Sequence, residues 1–279
     1  MQQKKLTLIL NKIKESLKKD FYILFLIFSS IFFTFFSGYK GVFPIDSFLI
    51  YDAGYKVLNG FHPFKDYWSI TGPILDYLQF LFFKLFGVNW LSYVLHAAFI
   101  NLFLTIIFYF FFTQLSLSKF YCFIYALSAS ILAYPSVGTP FMDHHAVIFS
   151  LISIQLFILA IKKNNRIYWF LVPVFLTFSF LSKQIPSAYL VILIFIFIII
   201  LFFLEKSNTS RKIIYLCAGS ILSILIICLI FLINRVPIDN FFLQYLLYPL
   251  EIGRERNSEI LFNLNKIFFE FKFIYFSLV

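Results

Sequence analysis

The sequence predicts an all-α, polytopic membrane protein, and its composition, its hydropathy and its apolar runs each point to that class. Hydrophobic residues make up 61% of the 279 residues and charged residues 13%, whereas soluble domains average about 45–50% and about 25%. The mean hydropathy is +0.90. Apolar segments close to the roughly 20 residues that a transmembrane helix needs recur along the chain, so we expect about seven or eight transmembrane helices.

Seven apolar segments are predicted to span the membrane. Aromatic residues that suit a membrane interface begin two of them. A further apolar piece, residues 73–86, is short and contains Asp76 and Lys84, which favours an interfacial or half-inserted helix. The predicted spans are residues 21–37, 91–113, 120–134, 146–161, 167–181, 187–204 and 213–233.

The distribution of charge predicts the orientation. Residues 1–20 form a basic leader, and residues 21–37 end without the small residues of a cleavage site, so the first span is predicted to be an uncleaved anchor. Short basic loops favour the cytoplasmic side, which places the N-terminus inside. Ten of the 13 acidic residues then fall outside, although they were not used to choose the orientation. We therefore expect any site to be extracytoplasmic.

The net charge of +10 does not indicate a nucleic-acid partner. The cations stand at the ends of hydrophobic segments, and no basic stripe alternates with aromatic residues. Cys122, Cys217 and Cys228 lie inside apolar segments without metal-knuckle spacing, so we interpret them as small apolar side chains. The long apolar runs exclude a soluble enzyme and predict membrane lipids as the surroundings.

A polar stretch, FPIDSFLIYDAGYKVLNGFHPFKDYWSITGP, follows the first span and belongs to a predicted outer loop of residues 38–90. Asp46 precedes residues with helical spacing, which predicts an interfacial helix capped by Asp46 and ended by Gly60. A second interpretation, compatible with the first, is that the Asp46 carboxylate takes a proton from an acceptor hydroxyl. Asp66 is expected to form a local ion pair with Lys65.

The order of these elements resembles the first outer loop of bacterial GT-C glycosyltransferases, most closely the protein-mannosyltransferase and aminoarabinose-transferase-like branch. In that family an acidic residue follows the first span, and a G-x-x-P-[YF]-x-D turn comes next. A P-[LI]-x-x-x-[LI]…[LF]-F-G stretch then enters the second span. FLSKQIP, residues 180–186, is similar to the lysine-containing end of a later family span. The resemblance covers about residues 20–200. The matching positions in the first loop are Asp46, Gly60, Pro63, Phe64, Asp66, Pro73, Ile74, Phe86 and Gly87.

The resemblance implies a cell-envelope glycosyltransferase in the inner membrane of a bacterium. Such an enzyme moves a sugar from a polyprenyl-phosphate carrier to a hydroxyl of a lipid, glycan or protein at the outer face. By this resemblance Asp46 is the catalytic base, and Asp66 and Asp143 contact substrate. A lipid phosphate leaves, and cations must stabilise its charge. The outer-face candidates for that role are Lys183, Arg254 and Arg256.

Other interpretations of these polar residues stay open. EIGRERNSE, residues 251–259, is also typical of a solvated amphipathic stretch. MDHH places Asp143, His144 and His145 side by side just before a span. Neighbouring helical residues point about 100° apart, so these three could hold a divalent metal ion by converging with a residue from the first loop, such as His62 or Asp66. The simpler interpretation is that Asp143 favours a helix N-terminus. His96 is expected to be a hydrogen-bonded helix residue.

Two other classes of function compete with the glycosyltransferase. A polytopic transporter or flippase concentrates ionisable residues near the bilayer midplane, whereas here they cluster in an outer loop. A non-catalytic membrane protein is the other class. GT-C enzymes are longer than this chain, so we expect residues 21–279 to be one domain that is truncated at its C-terminus relative to that family. The family also often has a second acid after the first, whereas here Ser47 follows Asp46.

Overall fold

The structure, a computed structural model, describes residues 21–42, 46, 48–134, 138–204, 209–258 and 268–277. Across these residues the chain is all-helical, with 82% helix and no strand, which confirms the predicted fold class. The predicted basic leader, residues 1–20, lies outside the described residues.

The helices follow one another with short connections. In chain order they are α1 (Phe21–Lys40), α2 (Leu49–Leu58), α3 (Ile74–Phe86), α4 (Trp90–Gln114), α5 (Lys119–Leu132), α6 (Met142–Lys163), α7 (Arg166–Phe180), α8 (Gln184–Leu204) and α9 (Thr209–Asn234). The chain then continues through α10 (Ile238–Phe241), a π-helical stretch (Phe242–Leu247), α11 (Tyr248–Ser258) and α12 (Lys272–Ser277). Near the start of α8, Ile185 is extended, because a residue before proline is pushed out of the helical region.

Four helices of the described chain are long and apolar enough to cross a membrane. They are Phe21–Lys40, Trp90–Gln114, Met142–Lys163 and Ser210–Asn234. Three shorter apolar helices accompany them: Lys119–Leu132, Arg166–Phe180 and Ser187–Leu201. A helix therefore lies at each predicted span, but a count of seven or eight crossings is not confirmed. The four long helices indicate a membrane protein.

The main apolar core lies where α4, α6, α7 and α8 meet. Leu104 of α4, Ile152 and Phe157 of α6, and Trp169 and Val172 of α7 are all buried there. The outer faces of α8 and α9 carry exposed Ile, Leu and Phe side chains instead. Helices that are apolar on every side suit a lipid environment, in which only the inner face packs against protein.

Polar and small residues join the helices at specific points. The Asn101 amide nitrogen of α4 donates to the Ser30 carbonyl at 3.1 Å, to the Thr34 hydroxyl at 2.9 Å and to the Ser130 carbonyl at 2.9 Å, which ties α1 and α5 to α4. Gly219 brings α9 so close to α7 that an added Cβ would lie 2.1 Å from a backbone oxygen. Small and polar contacts of this kind specify helix pairing where lipid removes the hydrophobic driving force.

The helix bundle has two ends of different character. The loop end carries the described part of residues 38–90, the stretch that the sequence predicts as the first outer loop, together with the first turn of α6 and the connection between α7 and α8. There the Trp90 indole donates to the Gly38 carbonyl at 2.9 Å. The basic end carries the connections between α4 and α5 and between α6 and α7, together with the start of α9. At this end the Lys162 ammonium lies 3.5 Å from the Leu115 carbonyl.

A crossing of two backbones holds the first outer loop against the bundle. The Gly72 N–H donates to the Ser182 carbonyl at 3.2 Å, and the Ile74 N–H donates to the Leu181 carbonyl at 3.3 Å. A Cβ added at Gly72 would lie 1.6 Å from the Leu181 oxygen. Only glycine permits this approach. The start of α3 therefore lies directly against the turn that follows α7.

We expect Gly72→Ala to destabilise the protein by at least about 1–3 kcal/mol, because the new methyl group overlaps a main-chain oxygen that cannot rotate away. The midpoint of thermal unfolding of the detergent-solubilised protein measures this loss of stability. Gly41→Ala is the matched control, since no atom lies within 4 Å of the Cβ that it adds. Equal midpoints for the two variants would contradict the crossing.

Candidate functional site

Four polar segments that are distant in sequence meet at the loop end. Lys183, after α7, forms an ion pair with Asp143 in the first turn of α6, with 2.5 Å between the charged atoms. In the first loop, the Ser69 N–H donates to the Gln244 side-chain oxygen of the π-helical stretch at 2.9 Å. The four segments are the first loop, the first turn of α6, the turn after α7 and the π-helical stretch.

Asp46 is exposed, but it does not cap a helix as predicted. Helix α2 begins at Leu49, and Phe48 occupies the cap position without a side-chain hydrogen bond. Asp46 instead has left-handed backbone (φ 63), which Asp tolerates better than most residues. Its carbonyl accepts a hydrogen bond from the Leu49 N–H at 3.2 Å. The end of the helix agrees with the prediction, because Gly60 follows with a φ of +85.

Asp66 closes a tight turn within the first outer loop. Its carboxylate accepts a hydrogen bond from the His62 N–H at 2.8 Å, and the Lys65 ammonium lies 3.8 Å from the same oxygen. The predicted local ion pair is therefore present. Buried Phe64 stands inside the turn, and its carbonyl accepts a hydrogen bond from the Asn240 side chain at 2.8 Å. These contacts give Asp66 a role in shaping the loop.

The two histidines considered for a metal ion each pack against aromatic rings. The His62 ring lies 3.4 Å from the Tyr77 hydroxyl. Burial and the nearby Lys65 charge lower the pKa of His62, and Asp66 opposes this shift. The His144 ring packs against the rings of Tyr134, just after α5, and of Phe141, just before α6. Among the described residues, no group of three His, Cys, Asp or Glu side chains is placed to hold a metal ion.

The ion pair between Asp143 and Lys183 is partly open to solvent. The lysine side chain is 35% exposed and the aspartate side chain 43%. An exposed pair of this kind contributes only about 0–1 kcal/mol of stability. The backbone N–H of Lys183 donates to the Ser179 carbonyl at 3.1 Å, which continues the main-chain hydrogen bonding of α7 and fixes the position of the residue. A positioned ammonium group can therefore exchange its partner for a substrate anion at small cost.

The two candidate arginines belong to α11. Arg254 is exposed, whereas the side chain of Arg256 lies outside the described residues. Helix α11 begins beside the first outer loop, where the ring of Tyr248 packs edge-on against Trp68 with 5.4 Å between centroids. An exposed helix at this position agrees with both interpretations of the segment, a solvated surface and a phosphate contact.

Asp76 is the acidic residue whose environment the sequence analysis missed. It is only 1% exposed. The Tyr67 hydroxyl donates to one carboxyl oxygen at 2.7 Å, and the other oxygen has no hydrogen-bond partner among the described residues. Burial raises the pKa of Asp76 to about 7, against the opposing effects of Tyr67 and the Lys56 charge. The signal available in the sequence was the i, i+3 spacing of Asp76 and Gln79 in a mostly apolar helix.

A ladder of four polar side chains continues inward from α3. The Gln79 amide lies 2.9 Å from the His96 Nδ1, and the His96 Nε2 lies 3.2 Å from the His145 Nε2. The His145 Nδ1 then lies 3.1 Å from the Tyr134 hydroxyl. His96 is thus a hydrogen-bonded helix residue, as expected. The ladder joins the first outer loop to α4, to α6 and to the end of α5.

The partners of the ladder determine its hydrogen-bond directions for two neutral imidazoles. The Phe141 carbonyl, 3.0 Å from the His145 Nδ1, can only accept, so this nitrogen carries the hydrogen and the His145 Nε2 is an acceptor. The His96 Nε2 then donates and its Nδ1 accepts. An accepting His96 Nδ1 needs a donor, so the Gln79 amide is rotated to turn its nitrogen towards His96. This orientation also gives a partner to the Gln79 amide N–H, which otherwise has none among the described residues.

No family model matches the chain, and no curated protein and no solved structure is significantly similar to it. The geometry of the loop end and the resemblance of the first outer loop to GT-C glycosyltransferases therefore carry the functional proposal.

The raised pKa of Asp76 predicts a pH-dependent stability. The pKa is about 7 in the folded protein against an ordinary value of 3.8, so the folded state holds the proton more tightly. This stability is fully present below pH 3.8 and is lost as the pH rises through about 7. We expect the thermal midpoint of the solubilised protein to fall over that range, and Asp76→Asn, which stays neutral, to remove this component.

Asp239→Asn is the control for this measurement. Asp239 is exposed and is not among the groups that shift the pKa of Asp76, so its loss should leave the fall in midpoint between pH 3.8 and 7 in place. An Asp76→Asn variant with the pH dependence of the unmodified protein would show that another group titrates.

Proposed function

We propose that this protein is a membrane glycosyltransferase that moves a sugar from a polyprenyl-phosphate carrier to a hydroxyl acceptor at the loop end. The observation that carries the proposal is the docking of the first outer loop, which holds the resemblance to GT-C enzymes, on the turn that precedes Lys183. Asp46, the candidate base, and Lys183, the candidate phosphate-binding cation, thereby belong to the same end of an apolar helix bundle.

The proposed reaction needs one proton acceptor and one group that stabilises a leaving phosphate. The acceptor hydroxyl oxygen forms a bond to the anomeric carbon of the sugar while the bond from that carbon to the phosphate oxygen breaks. The proton of the hydroxyl passes to the Asp46 carboxylate, and the polyprenyl phosphate leaves with the electrons of the broken bond. The exposure of Asp46 supports this role, because an acceptor can reach the carboxylate.

Lys183 is the proposed partner of the leaving phosphate. Its ammonium is already held at the loop end by Asp143, and a phosphate group would replace or share that carboxylate in charge-assisted hydrogen bonds. Arg254 and Arg256 are the further candidates, since a guanidinium donates in a planar fork that matches phosphate oxygens. Asp143 then orients the lysine, and Asp66 keeps the loop in shape.

The surface of the loop end suits a substrate that arrives through the membrane. Phe48, Trp68 and Ile70 of the first outer loop are 54%, 56% and 45% exposed. Exposed aromatic side chains next to charged ones are typical of the membrane–water interface. A lipid-borne sugar and a water-soluble hydroxyl group can both reach such a surface.

A transporter is the second candidate function, and the buried ladder supports it. His96 and His145 lie inside α4 and α6, and both are fully buried. Ionisable residues within membrane helices often mark ion or proton pathways. Solute or proton uptake that is lost in His96→Gln, in a protein without any sugar transfer, would favour this candidate.

The decisive prediction for the glycosyltransferase concerns Asp46→Asn. We expect sugar transfer from labelled polyprenyl-phosphate sugars, measured in membranes, to fall by roughly 10²–10⁴-fold, because the amide keeps the size of the side chain but cannot accept the proton. Asp52→Asn is the matched control, because Asp52 is an exposed carboxylate of the same loop that pairs with Lys56, and we expect it to retain activity.

Each result of that comparison has a defined meaning. Transfer that survives in Asp46→Asn would move the role of base to Asp66 or Asp143. No transfer by the unmodified protein from any donor of the panel, with the protein present in the membrane, would favour a non-catalytic protein or a transporter.

A further prediction separates the charge of Lys183 from its structural role. We expect Lys183→Gln to lower kcat/KM by roughly 10²-fold, as loss of one positioned electrostatic contact to a developing charge does. Asp143→Asn breaks the same ion pair but keeps the ammonium group, so it should cost clearly less. Equal losses in the two variants would indicate that the pair matters only for structure.

A further inference from the structure

The basic end contains a cleft that the proposed reaction does not use. The cleft has a volume of about 490 Å³ and lies between the α6–α7 connection and the first turns of α9. None of the described residues that line it is acidic. Four of the side chains that line it are cations, and two more are an indole and a phenol. These residues are Lys163, Arg166, Arg211, Lys212, Trp169 and Tyr215.

Close packing of α7 and α9 builds the floor of the cleft. Gly219 lets α9 approach the backbone of Phe170, where an added Cβ would lie 2.1 Å from the carbonyl oxygen. Tyr215 and Lys212 precede Gly219 by four and seven residues, so they share the face of α9 that is turned towards α7. Their side chains therefore stand above the glycine contact at the start of α9.

Trp169, which lines the cleft, carries a buried hydrogen-bond donor. The residue is 2% exposed, and its indole N–H has no hydrogen-bond partner among the described residues. The Lys212 ammonium lies 5.5 Å from the centre of the ring. An indole nitrogen can only donate, and buried donors are normally paired. The cations around the cleft favour a ligand that carries negative charge.

We propose that this cleft binds the phosphate headgroup of an anionic phospholipid. The guanidinium groups of Arg166 and Arg211 suit phosphate oxygens, and basic clefts between membrane helices recognise such headgroups. Exposed apolar side chains flank the cleft: Ile167 is 57% exposed and Ile214 is 61% exposed. Acyl chains can lie against these side chains while the headgroup occupies the cleft, whereas a soluble anion would leave them without a partner.

The test measures lipid retained by the full-length purified protein. Native mass spectrometry of protein exchanged into mixtures of phosphatidylglycerol and phosphatidylcholine should show a clear preference for phosphatidylglycerol. We expect Arg166→Gln/Arg211→Gln to bind phosphatidylglycerol roughly thirtyfold more weakly, which is about 2 kcal/mol at 1.4 kcal/mol per factor of ten.

The matched control removes two other cations from the basic end. Lys119 and Lys162 do not line the cleft, so Lys119→Gln/Lys162→Gln should keep the lipid preference although the net charge falls equally. Equal loss in both double variants would reduce the effect to general surface charge and overturn the proposal.

Inorganic phosphate alone distinguishes the source of the ligand. Binding of inorganic phosphate that needs Arg166 and Arg211, without any preference for phosphatidylglycerol, would replace the lipid by a soluble phosphate and overturn the proposal. Equal retention of both lipids by the unmodified protein would overturn it too. The measurement involves no sugar transfer, so its outcome is independent of the proposed reaction at the loop end.

Discussion

The backbone crossing at Gly72 is the contact on which the loop end depends. Because it places the start of α3 directly on the turn after α7, the polar face of α3 is directed into the bundle, where Asp76 and Gln79 are buried. The same turn presents Gln184, whose side chain donates to the carbonyl of Ile70 at 3.1 Å and to that of Tyr245 at 2.8 Å. One close approach thus connects the first outer loop, the end of α7 and the π-helical stretch.

Polar contacts determine how the apolar helices pair. In a bilayer, lipid tails satisfy an apolar helix face almost as well as a neighbouring helix does, so hydrogen bonds of about 0.6–2 kcal/mol specify the neighbours. The Ser179 hydroxyl illustrates this: it donates to the Ala146 carbonyl at 2.6 Å and lies within hydrogen-bonding reach of Ser150 and Ser187. Three helices, α6, α7 and α8, meet at this cluster.

The two ends of the bundle carry different electrostatics. At the loop end, acids and cations are mixed, and Asp143 holds Lys183 in an ion pair. At the basic end, the charged residues among the described ones that line the cleft are all cations. This asymmetry is the one that orients helices in membranes, and here it also separates a surface suited to group transfer from a cleft suited to an anionic headgroup.

The amino-acid sequence by itself determined the fold class, the positions of the apolar helices, the shortness of α3 and the local pairing of Asp66 with Lys65. These features depend on composition and on residues close together in the chain. The tertiary structure alone decided that Asp76 is buried and that Asp143 meets Lys183. It also decided that Trp169 and four cations line one cleft. Burial and long-range pairing depend on which distant segments pack together, and a one-dimensional pattern of hydropathy and spacing does not contain that information.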